Sequence, residues 1–160
     1  MSAMRDGNKR LYRQDARKLV IAGIAAGAVS GIVLGFTMKL LEHLTGSAVY
    51  VLLLNVDFIE WLPYKRTETL EFILHMVVAL PLGIIYLSLL SLWRAPIGLS
   101  LGMSIAVACC TWIPLTQLSE RTPATSDVQA LIWWLLGHLL FGAVLSLFGV
   151  TWIKKGMLEK

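Results

Sequence analysis

Charged residues are scarce in this sequence, at 15% of 160 residues, whereas hydrophobic residues make up 57%. The mean hydropathy is +0.72. A soluble domain carries about 25% charged residues, so this composition excludes an ordinary soluble domain. It predicts instead a single integral membrane domain, with membrane lipids as its surroundings and no nucleic-acid partner.

Cysteines and catalytic signatures are also few. Cys109 and Cys110 are adjacent in an apolar stretch, and because neighbouring cysteines rarely bridge each other, we interpret them as small, lipid-compatible packing residues. The sequence contains no GxxxxGK[ST], HExxH, GxSxG or CxxC motif. These absences weigh against an enzyme without deciding the point, and we predict no catalytic residue, no cofactor and no bound metal.

The first long apolar stretch organises the chain. No charge occurs between Leu19 and Met38, and a helix of this length spans ~30 Å, the thickness of the bilayer hydrocarbon. Glycines recur at every fourth position, at Gly23, Gly27, Gly31 and Gly35. Each would cost about 1 kcal/mol in a soluble helix, whereas in a membrane they let a second helix approach closely. We predict a transmembrane helix over 19–41 with a packing seam at these glycines.

Three further apolar stretches predict transmembrane helices over 70–93, 97–118 and 128–153. The turn Arg94–Pro96 is so short that the second and third helices are expected to pack side by side. Small residues suggest further seams, at Gly98, Gly102, Ala106 and Cys110 in the third span and at Gly142 in the fourth. The predicted fold class is therefore all-α, a polytopic membrane protein with four transmembrane helices. A basic lead over 1–18 precedes this 19–155 domain, and a short tail over 156–160 follows it.

The connection between the first two spans contains a second apolar patch, over 48–62. It is too short to span a membrane, and polar residues interrupt it at Asn55, Asp57 and Glu60. Two aromatic residues typical of the membrane interface stand at its end, Trp61 and Tyr64. We predict a short helix that is either interfacial or re-entrant.

Positive charges predict the orientation, because loops rich in Lys and Arg remain in the cytoplasm. With a cytoplasmic N-terminus, ten of the 14 Lys and Arg residues lie on that side. They are Arg5, Lys9, Arg10, Arg13, Arg17, Lys18, Arg94, Lys154, Lys155 and Lys160. The opposite side has four, Lys39, Lys65, Arg66 and Arg121. We therefore predict a multi-pass cell-membrane protein with both termini in the cytoplasm.

The glycine-spaced first helix, the segment VYVLLLNVDFIEWLP over 49–63 and the four-span length resemble the small membrane proteins of the YqhR type. The resemblance covers the layout and the first third of the chain. It implies a four-span fold and brings no activity, cofactor or functional residue with it.

Five ionisable residues fall on or next to the predicted packing faces: Glu42, His43, Glu71, His75 and His138. His75 shares a helical face with Ala79 and Gly83, and His138 shares one with Gly142. These side chains should therefore point into the bundle, where ionisable groups are costly and suggest function. We predict that His138 interacts with polar groups of the first two spans, most of all Glu71 and His75.

Three roles stay open for this group: structural hydrogen bonding between helices, a proton or ion pathway, and a metal site. The chain itself is predicted to be a non-enzymatic scaffold, assembly factor or partner subunit, which can associate with a second copy or with another membrane protein. The alternative is a small transporter or channel-like protein in which the five residues line a polar path.

Overall fold

The computed structural model describes residues 2–57, 59 and 67–154, with side chains from Ala16 onward. This part of the chain forms five helices: α1 (Ser2–Thr45), α2 (Val49–Leu53), α3 (Glu68–Trp93), α4 (Pro96–Gln117) and α5 (Val128–Lys154). Four segments are long and apolar enough to cross a membrane, namely Ala16–Thr45 of α1 and the whole of α3, α4 and α5. The predicted all-α fold with four membrane spans is confirmed.

The helix α1 is longer than its predicted span. Its backbone is helical from Ser2 without a break, because the sequence has no proline before Pro63. The basic lead over 1–18 therefore continues the line of the span. The short helix predicted within 48–62 is present as α2, whereas Glu60, Trp61 and Tyr64 lie outside the described residues.

The four long helices are arranged in the order α3, α1, α5, α4. Each of these consecutive pairs packs closely, while α3 and α4 touch only sparsely. We call the end of the bundle with Arg94 and Ala95 the turn end, and the opposite end, where α1 ends and α5 begins, the linker end. The expectation that the second and third spans pack side by side is wrong, because α3 packs mainly on α1 and α4 mainly on α5.

The interface of α1 with α3 is built on glycine, as predicted. A Cβ atom added to Gly27 would lie 2.9 Å from Leu80 Cα, and one added to Gly31 would lie 2.7 Å from Ala79 Cβ. On the facing helix, a Cβ atom at Gly83 would lie 2.8 Å from Gly27 Cα. The two backbones therefore touch, and no larger side chain fits between them. Gly23 and Gly35 have equally close neighbours in α3.

The interface of α4 with α5 uses a different face of α4 from the predicted one. Gly98, Gly102, Ala106, Cys109 and Cys110 are all exposed on the bundle surface, and a Cβ atom added to Gly98 or Gly102 would have no neighbour within 4 Å. The seam predicted in the third span is therefore wrong within this chain. The cysteines do not pack against another helix of the chain, but their exposed position agrees with the prediction that they are compatible with lipid.

The contacting face of α4 carries Ser100, Ser104 and Ala108, all buried. Each serine hydroxyl donates a hydrogen bond to a carbonyl of its own helix, Ser100 to Ile97 O and Ser104 to Ser100 O. Because this satisfies the hydroxyls locally, the small serine side chains can pack directly against α5. On α5, Gly142 lies in the interface, as predicted. A Cβ atom added to it would lie 2.6 Å from Ser104 Oγ.

A second contacting face of α1 packs on α5. The glycine seam predicts that Ile32 and Leu34 both face lipid. Ile32 does, with 41% of its surface exposed, but the prediction is wrong for Leu34, which is only 3% exposed. Leu34 is buried because its side chain packs against Gly137 of α5. A Cβ atom added to that glycine would lie 3.3 Å from Leu34 Cδ1. The helix α1 therefore has two buried faces, one toward α3 and one toward α5.

Candidate functional site

A crevice opens between α3 and α4, where the ring of helices is not closed. It encloses a cavity of about 210 Å³. Most of the lining side chains are aliphatic or aromatic, and they come from all four long helices, from the end of α2 and from the segment after it. The polar lining residues are Asn55, His75, Ser104, Thr111 and His138. We call this space the α3–α4 crevice.

The crevice faces sideways, toward the surrounding lipid. Val78 of α3 lines it and is nevertheless 60% exposed, so its mouth lies on the lateral surface of the bundle. Tyr86 bridges α3 to α4 at the turn end, where its hydroxyl donates to Pro96 O at 3.0 Å. Asn55 bridges to α4 at the linker end, where Nδ2 donates to Leu115 O at 3.0 Å. The crevice thus lies between these two bridges, with its mouth on the side of the bundle.

His138 forms part of the crevice wall. It is 4% exposed, and its Nδ1 atom lies 2.9 Å from Trp134 O, one turn earlier in the same helix. Its ring centroid is 4.3 Å from that of Trp134. The Trp134 indole in turn donates from Nε1 to Ala108 O of α4 at 3.0 Å. The α5 wall is therefore rigidly held against α4.

His75 stands in the wall that α3 contributes. Its Nε2 atom lies 3.2 Å from Gly31 O, a carbonyl of the neighbouring helix α1 that the missing glycine side chain leaves accessible. The crevice therefore contains two histidines from opposite walls. His138 lies in the bundle interior, as predicted, and shares the crevice with His75, but its hydrogen bond is to a carbonyl of its own helix and not to His75 or Glu71.

Glu71 belongs to an ion-pair cluster at the linker end. Arg121 donates to both carboxylate oxygens of Asp57, from Nη2 at 3.0 Å and from Nε at 3.3 Å, and its Nη2 lies 3.5 Å from Glu71 Oε1. The hydrogen bond with Asp57 raises the pKa of the Arg121 guanidinium, against a smaller opposing effect of burial. This cluster joins the segment after α2 to α3 and to the α4–α5 connection.

Glu42 has a structural role in holding α2. Its Oε2 atom accepts hydrogen bonds from the backbone N–H groups of Tyr50, at 2.8 Å, and Val51, at 3.1 Å, which are unpaired donors in the first turn of α2. The Tyr50 hydroxyl donates to Glu68 at 2.8 Å, and burial, with help from that acceptor, raises the pKa of the Tyr50 hydroxyl. His43 is exposed beside this group.

The structure therefore separates the five residues of the predicted polar path. His75 and His138 line the crevice, Glu71 joins the ion-pair cluster, Glu42 caps α2, and His43 lies on the surface. Within the described residues, no group of three His, Cys, Asp or Glu side chains is placed to hold a metal ion.

Sequence reasoning missed the roles of Asn55 and Trp134. The sequence shows Asn55 only as a polar residue in an apolar patch. In the structure it is 3% exposed, and its side chain also accepts a hydrogen bond from Asp57 N. Trp134 falls on the same helical face as His138 and Gly142, so its inward position is predicted from the sequence, but its hydrogen bond to Ala108 O depends on which helix faces it.

Comparison of the chain with known protein families, with characterised proteins and with solved structures finds no match. The resemblance to the YqhR type therefore stays a prediction.

Proposed function

We propose that this chain is a non-enzymatic, multi-pass membrane protein that binds an apolar molecule drawn from the bilayer into the α3–α4 crevice. The observation that carries the proposal is the lateral mouth at Val78, which leads from the lipid-facing surface into a cavity of about 210 Å³. A molecule dissolved in the membrane can enter such a cavity without crossing water.

The lining agrees with a binding site for a small apolar molecule. Ligand sites are mostly apolar and contain a few placed polar groups, and this crevice has that composition. An apolar cavity of ~150 Å³ is enough to hold a benzene molecule, so the crevice has room for a ring-sized group. A longer apolar tail would extend through the mouth into the lipid.

Binding of this kind is consistent with a partner or assembly subunit, which responds to a membrane component without transforming it. A transport path along the five ionisable residues has less support. Glu42 and Glu71 are engaged with α2 and with Arg121, so they do not continue a line from the two histidines.

The proposal is tested by narrowing the mouth. We expect Val78→Trp to reduce labelling by a photoactivatable alkyl diazirine severalfold, because the indole fills the space that the probe enters. The adjacent Val77→Trp is a matched control, since Val77 is 58% exposed and does not line the crevice. Labelling of the purified full chain in lipid nanodiscs is quantified by mass spectrometry. Equal labelling of the two variants would contradict the proposal.

We also propose that the linker end faces away from the cytoplasm, as the distribution of Lys and Arg favours. In a background without Cys109 and Cys110, a cysteine at Ser126 should then react with an impermeant thiol reagent in intact cells. A cysteine at Ala95, which is exposed at the turn end, should react only after the membrane is permeabilised. The reverse pattern would place the linker end in the cytoplasm.

A further inference from the structure

In the described part of the chain, each crevice histidine has a hydrogen-bond partner for one ring nitrogen and none for the other. The carbonyl of Trp134 can only accept a hydrogen bond, so the hydrogen of His138 lies on Nδ1. The carbonyl of Gly31 places the hydrogen of His75 on Nε2 in the same way. In a neutral imidazole the second nitrogen is an acceptor, and an apolar site disfavours the charged ring. The free acceptors are therefore His138 Nε2 and His75 Nδ1.

Neither free nitrogen is sealed in the protein. In the described part of the chain, the buried side-chain polar atoms without a hydrogen-bond partner are Ser30 Oγ, Trp133 Nε1 and Trp152 Nε1. The two histidine nitrogens also have no hydrogen bond within the described residues, but they are not among these buried atoms. Each of them therefore keeps some accessible surface. Since both residues line the crevice, these two acceptors are available to its contents.

We infer that the ligand of the α3–α4 crevice is a neutral apolar molecule whose head carries a hydroxyl group, which donates a hydrogen bond to the free nitrogen of His138 or His75. This inference rests on the proposed function, because it names the chemical class of the molecule that the crevice binds. An acceptor-only ligand, such as a ketone or an ether, would leave both nitrogens unpaired in an apolar site.

The other polar lining residues strengthen the preference for a donor. The hydroxyls of Ser104 and Thr111 already donate to carbonyls of their own helix, at 2.7 Å each to Ser100 O and Val107 O, and Asn55 donates to Leu115 O. The two hydroxyl hydrogens and one of the two Asn55 amide hydrogens are therefore engaged, and the hydrogen-bonding capacity left in the crevice is mainly that of acceptors. Among the residues that the structure describes, no charged side chain lines it, so none of them offers a counter-ion to a phosphate or ammonium head.

Two sources in a membrane share this chemistry: an alcohol on a glycerol lipid, and a phenolic hydroxyl on an apolar ring. The experiment uses one probe for each, para-heptylphenol and dioctanoylglycerol, with para-heptylanisole as the methyl-ether control of the phenol. Each competes against the photoactivatable alkyl diazirine for the full chain in nanodiscs. At least one hydroxyl compound is expected to compete, and where the phenol competes it should do so about fivefold better than the anisole, as one hydrogen bond of ~1 kcal/mol predicts.

A variant tests whether His138 is the acceptor. His138→Phe keeps a ring beside Trp134 but removes Nε2, so the preference for phenol over anisole should fall toward one. His75→Gln gives the second measurement, because its amide nitrogen can still donate to Gly31 O while the Nδ1 acceptor is lost. Loss of the preference in either variant supports the inference, and retention of the full preference in both overturns it.

The outcomes separate the inference from the proposed function. Competition by the phenol in preference to the anisole identifies the ring as the source, and competition by dioctanoylglycerol alone identifies the lipid alcohol; either supports the inference. If Val78→Trp lowers diazirine labelling but neither hydroxyl compound competes, or phenol and anisole compete equally, the inference is wrong and the binding function stands. If labelling is unaffected by Val78→Trp, the binding function itself fails.

Discussion

Replacement of Gly27 by leucine is expected to break the contact between α1 and α3 and to cost about 3 kcal/mol of stability or more. A Cβ atom at this position would already lie 2.9 Å from Leu80 Cα, and the rest of the leucine side chain has no space between two backbones. Overpacking costs about 1–3 kcal/mol when side chains can adjust, whereas backbone atoms can yield only if the helices separate. The measurement is thermal unfolding of the detergent-solubilised protein.

The chain offers a matched control in Gly102→Leu, the same substitution on an exposed face of α4. A Cβ atom at Gly102 meets nothing within 4 Å, and leucine is the better helix former by up to about 1 kcal/mol. We expect its Tm to be unchanged or slightly higher. If both leucine variants melt together, the glycines of α1 do not organise the bundle.

Replacement of Trp134 by alanine is expected to have the second large effect on stability. Trp134 is fully buried, donates to Ala108 O of α4 and packs on the rings of Trp112 and His138. Truncation of a buried tryptophan costs about 3–5 kcal/mol. It also leaves the wall of the α3–α4 crevice without support, so the Tm should fall and the crevice should lose its shape.

Two variants show which property of Trp134 matters. Trp134→Phe keeps an aromatic ring but removes the hydrogen bond to Ala108 O and leaves a small cavity where the larger indole lay, so it should cost about 1–3 kcal/mol, less than the alanine variant. Trp93→Ala removes a tryptophan that is 63% exposed, and should change stability by only about 0.5 kcal/mol. A loss for Trp93→Ala as large as for Trp134→Ala would contradict the assigned core.

The helices could be predicted from the sequence because hydropathy alone determines where a chain can span a membrane. The face that each helix buries was harder to predict. In α1 the glycines lie on one face and leave a single choice for that seam. In α4 small residues follow two faces, one with Gly98 and Gly102 and the other with Ser100 and Ser104. The sequence pattern favoured glycine, whereas the structure packs the serine face, because those hydroxyls bond within the helix.

The two crevice histidines were predicted as inward-facing, and that part of the site is confirmed. Their partners could not be predicted, because both are backbone carbonyls, and sequence patterns carry information about side chains. The crevice itself was also beyond prediction. It exists because α3 and α4, although joined by a short turn, bury their compact faces against different neighbours. Only the complete arrangement of the helices reveals that gap.

The central claim is that the mouth between α3 and α4 admits an apolar molecule, and mapping of the alkyl diazirine adducts tests it most directly. After irradiation in nanodiscs, the labelled residues are identified by peptide mass spectrometry. We expect adducts concentrated on crevice residues of both helices, among them Leu74 and Val78 of α3 and Val107 and Thr111 of α4. Adducts spread evenly over the lipid-facing surface, with Ile73 and Val77 labelled as strongly as Leu74 and Val78, would contradict the claim.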